Sequence, residues 1–244
     1  MSKNCLSCTG PLHIIYDFGF MPAVNSFFPI EKIHLEQKTP LMLYVCESCY
    51  LIQLSEVPNP EILFDDYHHL SSASKGNTLH LDSVNEFIKN NFDEKSKILE
   101  IGANDLYLTK LLNEDFQVIA IDPAKNINDE QENLIIDYFN STAVKKIQNQ
   151  FGKFDLIIGL NVFAHNASFK DMFASAKELM HEESFLLFEV AYAVDTICNG
   201  VFDTIYHEHV CSYTLTSLQN LFDDIGLEIQ YVEKLDTQGG SLRV

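Results

Sequence analysis

Cations are scarce in this chain: 16 Lys and Arg stand against 35 Asp and Glu in 244 residues, a formal charge of −19. Such a field repels nucleic acid and anionic membranes at long range, so neither is expected as a partner. An anionic small molecule, held by a few local amides and cations, is not excluded. No uninterrupted apolar run approaches the ~20 residues that a membrane-spanning helix needs. The opening Met1-Ser2-Lys3-Asn4-Cys5 does not resemble a secretory signal, and a cytoplasmic protein is expected. Internal repeats and low-complexity tracts are missing. So is the G-x-G-x-x-G loop that seats a pyrophosphate on a helix N-terminus. What remains is a chain with 46% apolar residues, enough for one medium core and a small one.

Cysteine is concentrated rather than abundant. Four of the six form Cys5-x-x-Cys8 and Cys46-x-x-Cys49, leaving Cys198 and Cys211 elsewhere. Each knuckle lets two thiolates converge on one ion, and two knuckles complete a tetrahedral shell around Zn²⁺. A disulfide framework and redox chemistry at one knuckle are the competing readings; the first needs an oxidising compartment that nothing here suggests. Residues 41–45 and 51–54 read as hairpin strands around the metal. Their core is too small to fold unaided, so zinc binding contributes folding free energy. Pro58-Asn59-Pro60 marks a boundary. The expected organisation is a zinc-binding domain over 1–60, a helical connector over 61–96 and a main domain over 97–244. In the connector, residues 74 to about 91 carry Leu79, Leu81, Val84, Phe87 and Ile88 near helical spacing.

Within the main domain, apolar runs at 98–102, 116–122, 155–160 and 184–190 alternate with helical stretches at 106–112, 141–150 and 168–180. Strands apolar on both faces, interleaved with helices, specify a doubly wound α/β domain with a mostly parallel sheet. Ligands of such sheets bind at the carboxyl ends of the strands. Gly102 falls there, where backbone can approach a ligand. So does Asp122, about twenty residues on, whose carboxylate can accept both hydroxyls of a ribose; a plain strand stop is its bland alternative. Asp105, in the same turn as Gly102, would repel a phosphate. It suits a ligand with a cationic centre or amine. S-adenosylmethionine carries both and no phosphate, which favours a methyltransferase over an NAD-dependent oxidoreductase.

At this point the residues resemble a known family, the S-adenosylmethionine-dependent sugar C-methyltransferases of deoxysugar biosynthesis (C-3 methyltransferases acting on nucleotide-linked 4-keto sugars). The resemblance begins at the paired knuckles with Pro22-x-x-Asn25-x-Phe27. It continues through Asp66-Tyr67 with Ser71-Ser72-x-Ser74, then Glu100-Ile101-Gly102-x-Asn104-Asp105 and Asp122-Pro123-Ala124. Asn161-Val162-Phe163-Ala164-His165 and Phe188-Glu189-Val190-x-Tyr192 follow. The most specific block is Phe202-Asp203-Thr204-Ile205-Tyr206-His207-Glu208-His209, and Gly239-Gly240-Ser241-Leu242-Arg243-Val244 closes the match.

The resemblance implies zinc at Cys5, Cys8, Cys46 and Cys49. It implies S-adenosylmethionine against Gly102, Asn104, Asp105, Asp122 and Asn161. Tyr67, His165, Tyr206, Glu208 and His209 would supply the reaction centre, with a nucleotide-sugar as substrate. Three departures stand beside it. Leu106 occupies a position where the family usually has glycine, and His69 one where it tends to show a second tyrosine. Family members also continue past the Gly-Gly-Ser-Leu-Arg-Val block into another α/β domain. A fragment, a short paralogue or an inactive binding subunit, partnered by another chain or by its own copy, is therefore the second reading.

Methylation beside a ketone removes an α-proton to give an enolate, which then attacks the methyl group. Histidine suits the base because it titrates near neutrality. His209 is the candidate base, with Glu208 orienting an imidazole or holding a sugar hydroxyl. Tyr206, Tyr67 or His165 could donate to the enolate oxygen. A metal-binding H-x-H pair is the weaker reading of the block, and helix capping the bland one for His165. His68, His69 and His181 read as ordinary surface or core residues.

Overall fold

The computed structural model describes residues 4–24, 29–57, 70–124 and 133–244. Asn25, Phe27, the Pro58-Asn59-Pro60 boundary, Asp66, Tyr67, His68 and His69 lie outside the described residues. The chain opens on β1 (Leu12–Pro22), β2 (Lys38–Cys46) and β3 (Ile52–Leu54). Then come α1 (Lys75–Asn91), β4 (Lys97–Ile101), α2 (Tyr107–Leu112), β5 (Gln117–Asp122), β6 (Leu134–Ile136), α3 (Ser141–Phe151) and β7 (Phe154–Leu160). It continues with α4 (Phe169–Glu178), β8 (Met180–Ala191), α5 (Ala193–Cys198), β9 (Cys211–Ser212), α6 (Leu215–Ile225), β10 (Glu233–Leu235) and β11 (Ser241–Arg243).

These elements form two compact units. One holds the described residues of 70–162 together with Asp171–Phe188. Its strands run in the order β8-β7-β4-β5-β6. β4 pairs in parallel with both β5 and β7, Leu99 lying between Ile119 and Ile157. Ile98, Leu99, Val118, Leu156 and Ile158 are buried, as expected of strands covered on both faces. The mostly parallel α/β class expected from the sequence is the one observed. Val84 and Ile88 of α1 join Leu108 and Leu112 of α2 in the core against this sheet. Each such side chain contributes about 1.5–3 kcal/mol on burial. α1 begins where Ser74 caps it, its hydroxyl accepting from the Asn77 amide. Leu79, counted in the apolar stripe, is exposed; the stripe that packs starts at Leu81.

The other unit holds the described residues up to 57, Phe163–Lys170 and Glu189–Val244. Its antiparallel sheet has the order β1-β2-β3-β9. Here too the last three residues of β8 pair antiparallel with β11, which pairs antiparallel with β10. β8 thus runs through both units. Arg243 of β11 donates from Nε and Nη2 to Glu189 Oε1 at 2.9 and 2.8 Å, and from Nη1 to Glu233 at 3.1 Å. α6 is framed by a reciprocal cap between Thr214 and Ser217 and by left-handed Gly226. Helix α6 and strands β10 and β11 were not anticipated. The two strands are three residues each and carry Glu233, Lys234 and Arg243, too short and too charged for a period to show.

Candidate functional site

The two knuckles have the same backbone. Cys5 N–H donates to Gly10 O and Cys46 N–H to Leu51 O, each at 2.9 Å; Thr9 and Tyr50 donate back to the Cys5 and Cys46 carbonyls. Thr9 and Tyr50 both take φ of 61°, so each loop turns back immediately after its second cysteine. Ser7 N–H and Ser48 N–H point at the sulfurs of Cys5 and Cys46, each at 3.4 Å. All four Sγ atoms lie within 4.8 Å of one another. Cys5 and Cys49 are separated by 3.6 Å and Cys8 and Cys46 by 3.4 Å. Bonds of 2.3 Å from zinc to four thiolates imply edges of about 3.8 Å, so these thiols fit Zn²⁺ as they stand. Gly10 is required here, because a Cβ would sit 2.6 Å from Ser48 Oγ and 3.2 Å from Cys8 Sγ.

The turn after β4 is held by its own polar groups. Asp122, at the end of β5, accepts from Asn104 N–H through Oδ2 and from Ala124 N–H through Oδ1, each at 2.8 Å. Burial raises this carboxyl above the ordinary range. Each oxygen still has a lone pair for a ligand hydroxyl. Asn104 Oδ1 accepts from Ser71 and Asp105 amides, and Asp105 Oδ2 accepts from Ser72. Asp105 Oδ1 is buried with no hydrogen-bond partner among the described residues. Gly102 takes φ of 72°, and a Cβ there would lie 2.4 Å from Val162 Cγ2. Its smallness thus admits Val162 at the end of β7, a closer demand than ligand approach. Asn161 beside it is half-buried, with φ of 56°.

Two further residues shape this turn. Leu106 takes φ of 64°, the left-handed conformation that a glycine adopts without strain. Its side chain is completely buried and packs with Ala103 and Ala120. It is core, and it caps α2 rather than starting it. Glu100 was not singled out. It is buried in β4 with Thr109 donating to Oε2. Burial pushes its carboxyl up to about 7, the Thr109 hydroxyl opposes, and the charges of Asp122 and Asp105 add to the rise. An acid one residue from the end of a strand that is otherwise apolar from Ile98 onward was the available signal.

The Tyr206–His209 block folds into a tight turn, with His209 N–H on the Tyr206 carbonyl. His209 Nδ1 lies 2.7 Å from Thr204 O. A carbonyl only accepts, so Nδ1 carries the hydrogen and the neutral ring presents a lone pair at Nε2. The Tyr206 hydroxyl meets that lone pair at 2.8 Å. Burial holds His209 below the ordinary histidine range, with the Thr204 carbonyl working against it. His165, ending a short 3-10 turn, sets its ring edge-on to His209 at 4.9 Å between centroids. His207 and Glu208 are fully buried, and His207 Nε2 donates to Thr39 O at 3.2 Å. The four-residue run therefore separates: Tyr206 and His209 pair, while His207 anchors the turn. Outside the block, His181 pairs with Asp155 at 3.0 Å, both partly exposed.

Comparison with known proteins joins these features. Residues 5–64 match a family model described as "Putative zinc binding domain". Residues 73–232 match one described as "Methyltransferase domain", well over half of the chain. The chain belongs to the methyltransferase-domain family. Around this methyltransferase domain, 238 residues are 28% identical to the C-methyltransferase NovU of Streptomyces niveus, covering 94% of this chain and 57% of that protein. The chain thus spans little more than half the length of that relative. A SAM-dependent methyltransferase from Anabaena variabilis shares the fold at TM-score 0.54, with 14% identity over 70% of this chain and 84% of that one. Another from Archaeoglobus fulgidus does so at TM-score 0.50, with 12% identity over 64% and 73%. Among the described residues no helix is long and apolar enough to cross a membrane.

Proposed function

We propose that the protein transfers a methyl group from S-adenosylmethionine to carbon, beside the ketone of a nucleotide-linked deoxysugar. The single observation that carries the reading is the His209–Tyr206 pair: a half-buried imidazole, neutral, with its tautomer set by Thr204. Alkylation at carbon beside a ketone needs such a base to remove the α-proton. The 28% identity to a C-methyltransferase over nearly the whole chain supports the same chemistry.

The residues after β4 and β5 suit the donor. Asp122 offers free lone pairs to a ribose, and the carboxylates of Asp105 and Asp122 favour a cationic ligand over a phosphate. Gly102, Asn104 and Asn161 would complete that pocket. When bound, S-adenosylmethionine supplies an electrophilic methyl group on a sulfonium. His209 Nε2 takes the α-proton as the sugar C–H replaces the Tyr206 hydroxyl on it. Tyr206, released, donates to the enolate oxygen, a role that His165 and Tyr67 would share, and Glu208 would orient an imidazole or hold a sugar hydroxyl. Zinc would keep the N-terminal knuckles folded.

Exchange of the α-hydrogen in deuterium oxide, followed by mass spectrometry of a 4-keto nucleotide-sugar, tests the reading. Exchange is expected with the native protein and lost in His209→Asn, while calorimetry shows S-adenosylmethionine still binding. Unchanged exchange in His209→Asn, or no binding of the donor by the native protein, rejects it.

A further inference from the structure

The double glycine near the C-terminal strand has no part in the site so far, yet it presses directly on the segment that holds His209. Gln238, Gly239 and Gly240 take φ of 51°, 83° and 117° in succession. The chain thereby turns sharply before β11. A Cβ on Gly239 would lie 2.5 Å from Val201 Cγ1 and 3.4 Å from Thr204 Cγ2. A Cβ on Gly240 would strike Asp195 at 2.5 Å. Val201 and Thr204 bound a short 3-10 turn that is tied internally, Thr204 Oγ1 donating to Val201 O at 2.8 Å. A push on Val201 is therefore a push on Thr204. The Thr204 carbonyl is the acceptor that places the hydrogen of His209 on Nδ1.

We infer that Gly239 is a positioning residue for His209, acting through Val201 and the Thr204 carbonyl. The inference rests on the reading of His209 as the base. Without the Thr204 acceptor at its present distance, only the Tyr206 hydroxyl still bears on the tautomer, and a hydroxyl accepts from Nε2–H as readily as it donates to a bare Nε2. The Nε2–H tautomer then grows, and its Nε2 has no lone pair for a proton. Glycine is demanded twice over, by the left-handed backbone and by the absent Cβ.

Nitrogen-15 NMR of histidine-labelled full-length protein reads the tautomer without reference to activity. The native spectrum should show His209 protonated on Nδ1 over the neutral range. In Gly239→Ala a mixture of tautomers is expected, with kcat down on the order of 100-fold, as for comparable misplacement of a catalytic group. KM for the methyl donor should stay unchanged. Adding Val201→Ala relieves the 2.5 Å contact and should restore both the Nδ1–H signal and most of kcat. Val201→Ile crowds the same contact without touching the left-handed backbone. It should shift the tautomer part of the way, which keeps the test available if Gly239→Ala does not fold. A folded Gly239→Ala with an unaltered His209 tautomer overturns the inference, as does failure of Val201→Ala to rescue it. Unaltered tautomers after Val201→Ile overturn it equally. A native protein with the expected tautomer that neither binds the donor nor exchanges the substrate hydrogen counts against the proposed function alone.

Discussion

Thr109 of α2 donates its hydroxyl hydrogen to Glu100 of β4, a carboxyl only 6% exposed. Asp122 on the neighbouring strand and Asp105 in the following turn raise its proton affinity further, while Ala120 and Ile158 flank it in the sheet. As pH rises, the unfolded chain loses this proton near 4.5 and the folded chain only near 7. Its contribution to stability is full below about 4.5 and lost towards 7, on the order of 3 kcal/mol in all. Denaturant unfolding across that window should show the decline in the native protein, and Glu100→Gln should flatten it. The same slope in both would refute the assignment. At pH 7 a cationic ligand should also expel part of this proton, seen as a buffer-dependent heat of binding.

Leu106 offers a comparison that reverses the usual order of substitutions. Leu106→Ala removes a buried side chain and should cost about 2–5 kcal/mol. Leu106→Gly removes more, yet at φ of 64° it recovers about 1 kcal/mol of backbone strain. Glycine is therefore expected to be no worse than alanine by urea unfolding; a glycine variant clearly weaker than alanine would show that the turn is unstrained.

Arg243 and Glu189 form a pair with both side chains buried. Arg243→Met strands the Glu189 charge and should destabilise by about 3–5 kcal/mol. Glu189→Gln with Arg243→Met should recover much of that. The check is a double-mutant cycle of thermal unfolding, and additive effects would contradict coupling.

The four thiols predict one zinc per chain by elemental analysis. Cys46→Ser should lose it and lower the melting temperature, since metal binding here is folding free energy. Cys198, exposed and outside the cluster, serves as control: Cys198→Ser should retain full occupancy. Equal zinc in both variants would exclude the knuckles as the site.

His209 is held below the ordinary histidine range by burial. The acid limb of kcat/KM should therefore fall below the ordinary histidine value of about 6.5. Above that limb the base is neutral and competent. The sign for stability agrees: as pH falls past 6.5 the unfolded chain takes the proton first, and the folded state loses ground. An acid limb at or above 6.5 would place the base elsewhere.

The knuckle spacing, the run of apolar strands and the Tyr206–His209 block were legible because each is local. Two cysteines three apart converge on an ion whatever surrounds them. A strand buried on both faces must be apolar throughout. The amino-acid order thereby determined the zinc cluster, the parallel α/β class and the set of candidate side chains. It left open how those side chains divide. That Leu106 is core, that Glu100 keeps a proton, that His207 anchors while His209 pairs with Tyr206: each depends on groups brought together from elsewhere in the chain. So does the pressure of Gly239 on Val201, across 38 positions of sequence. Burial, proton affinity and tautomer are set by neighbours in space, and only the folded chain supplies them.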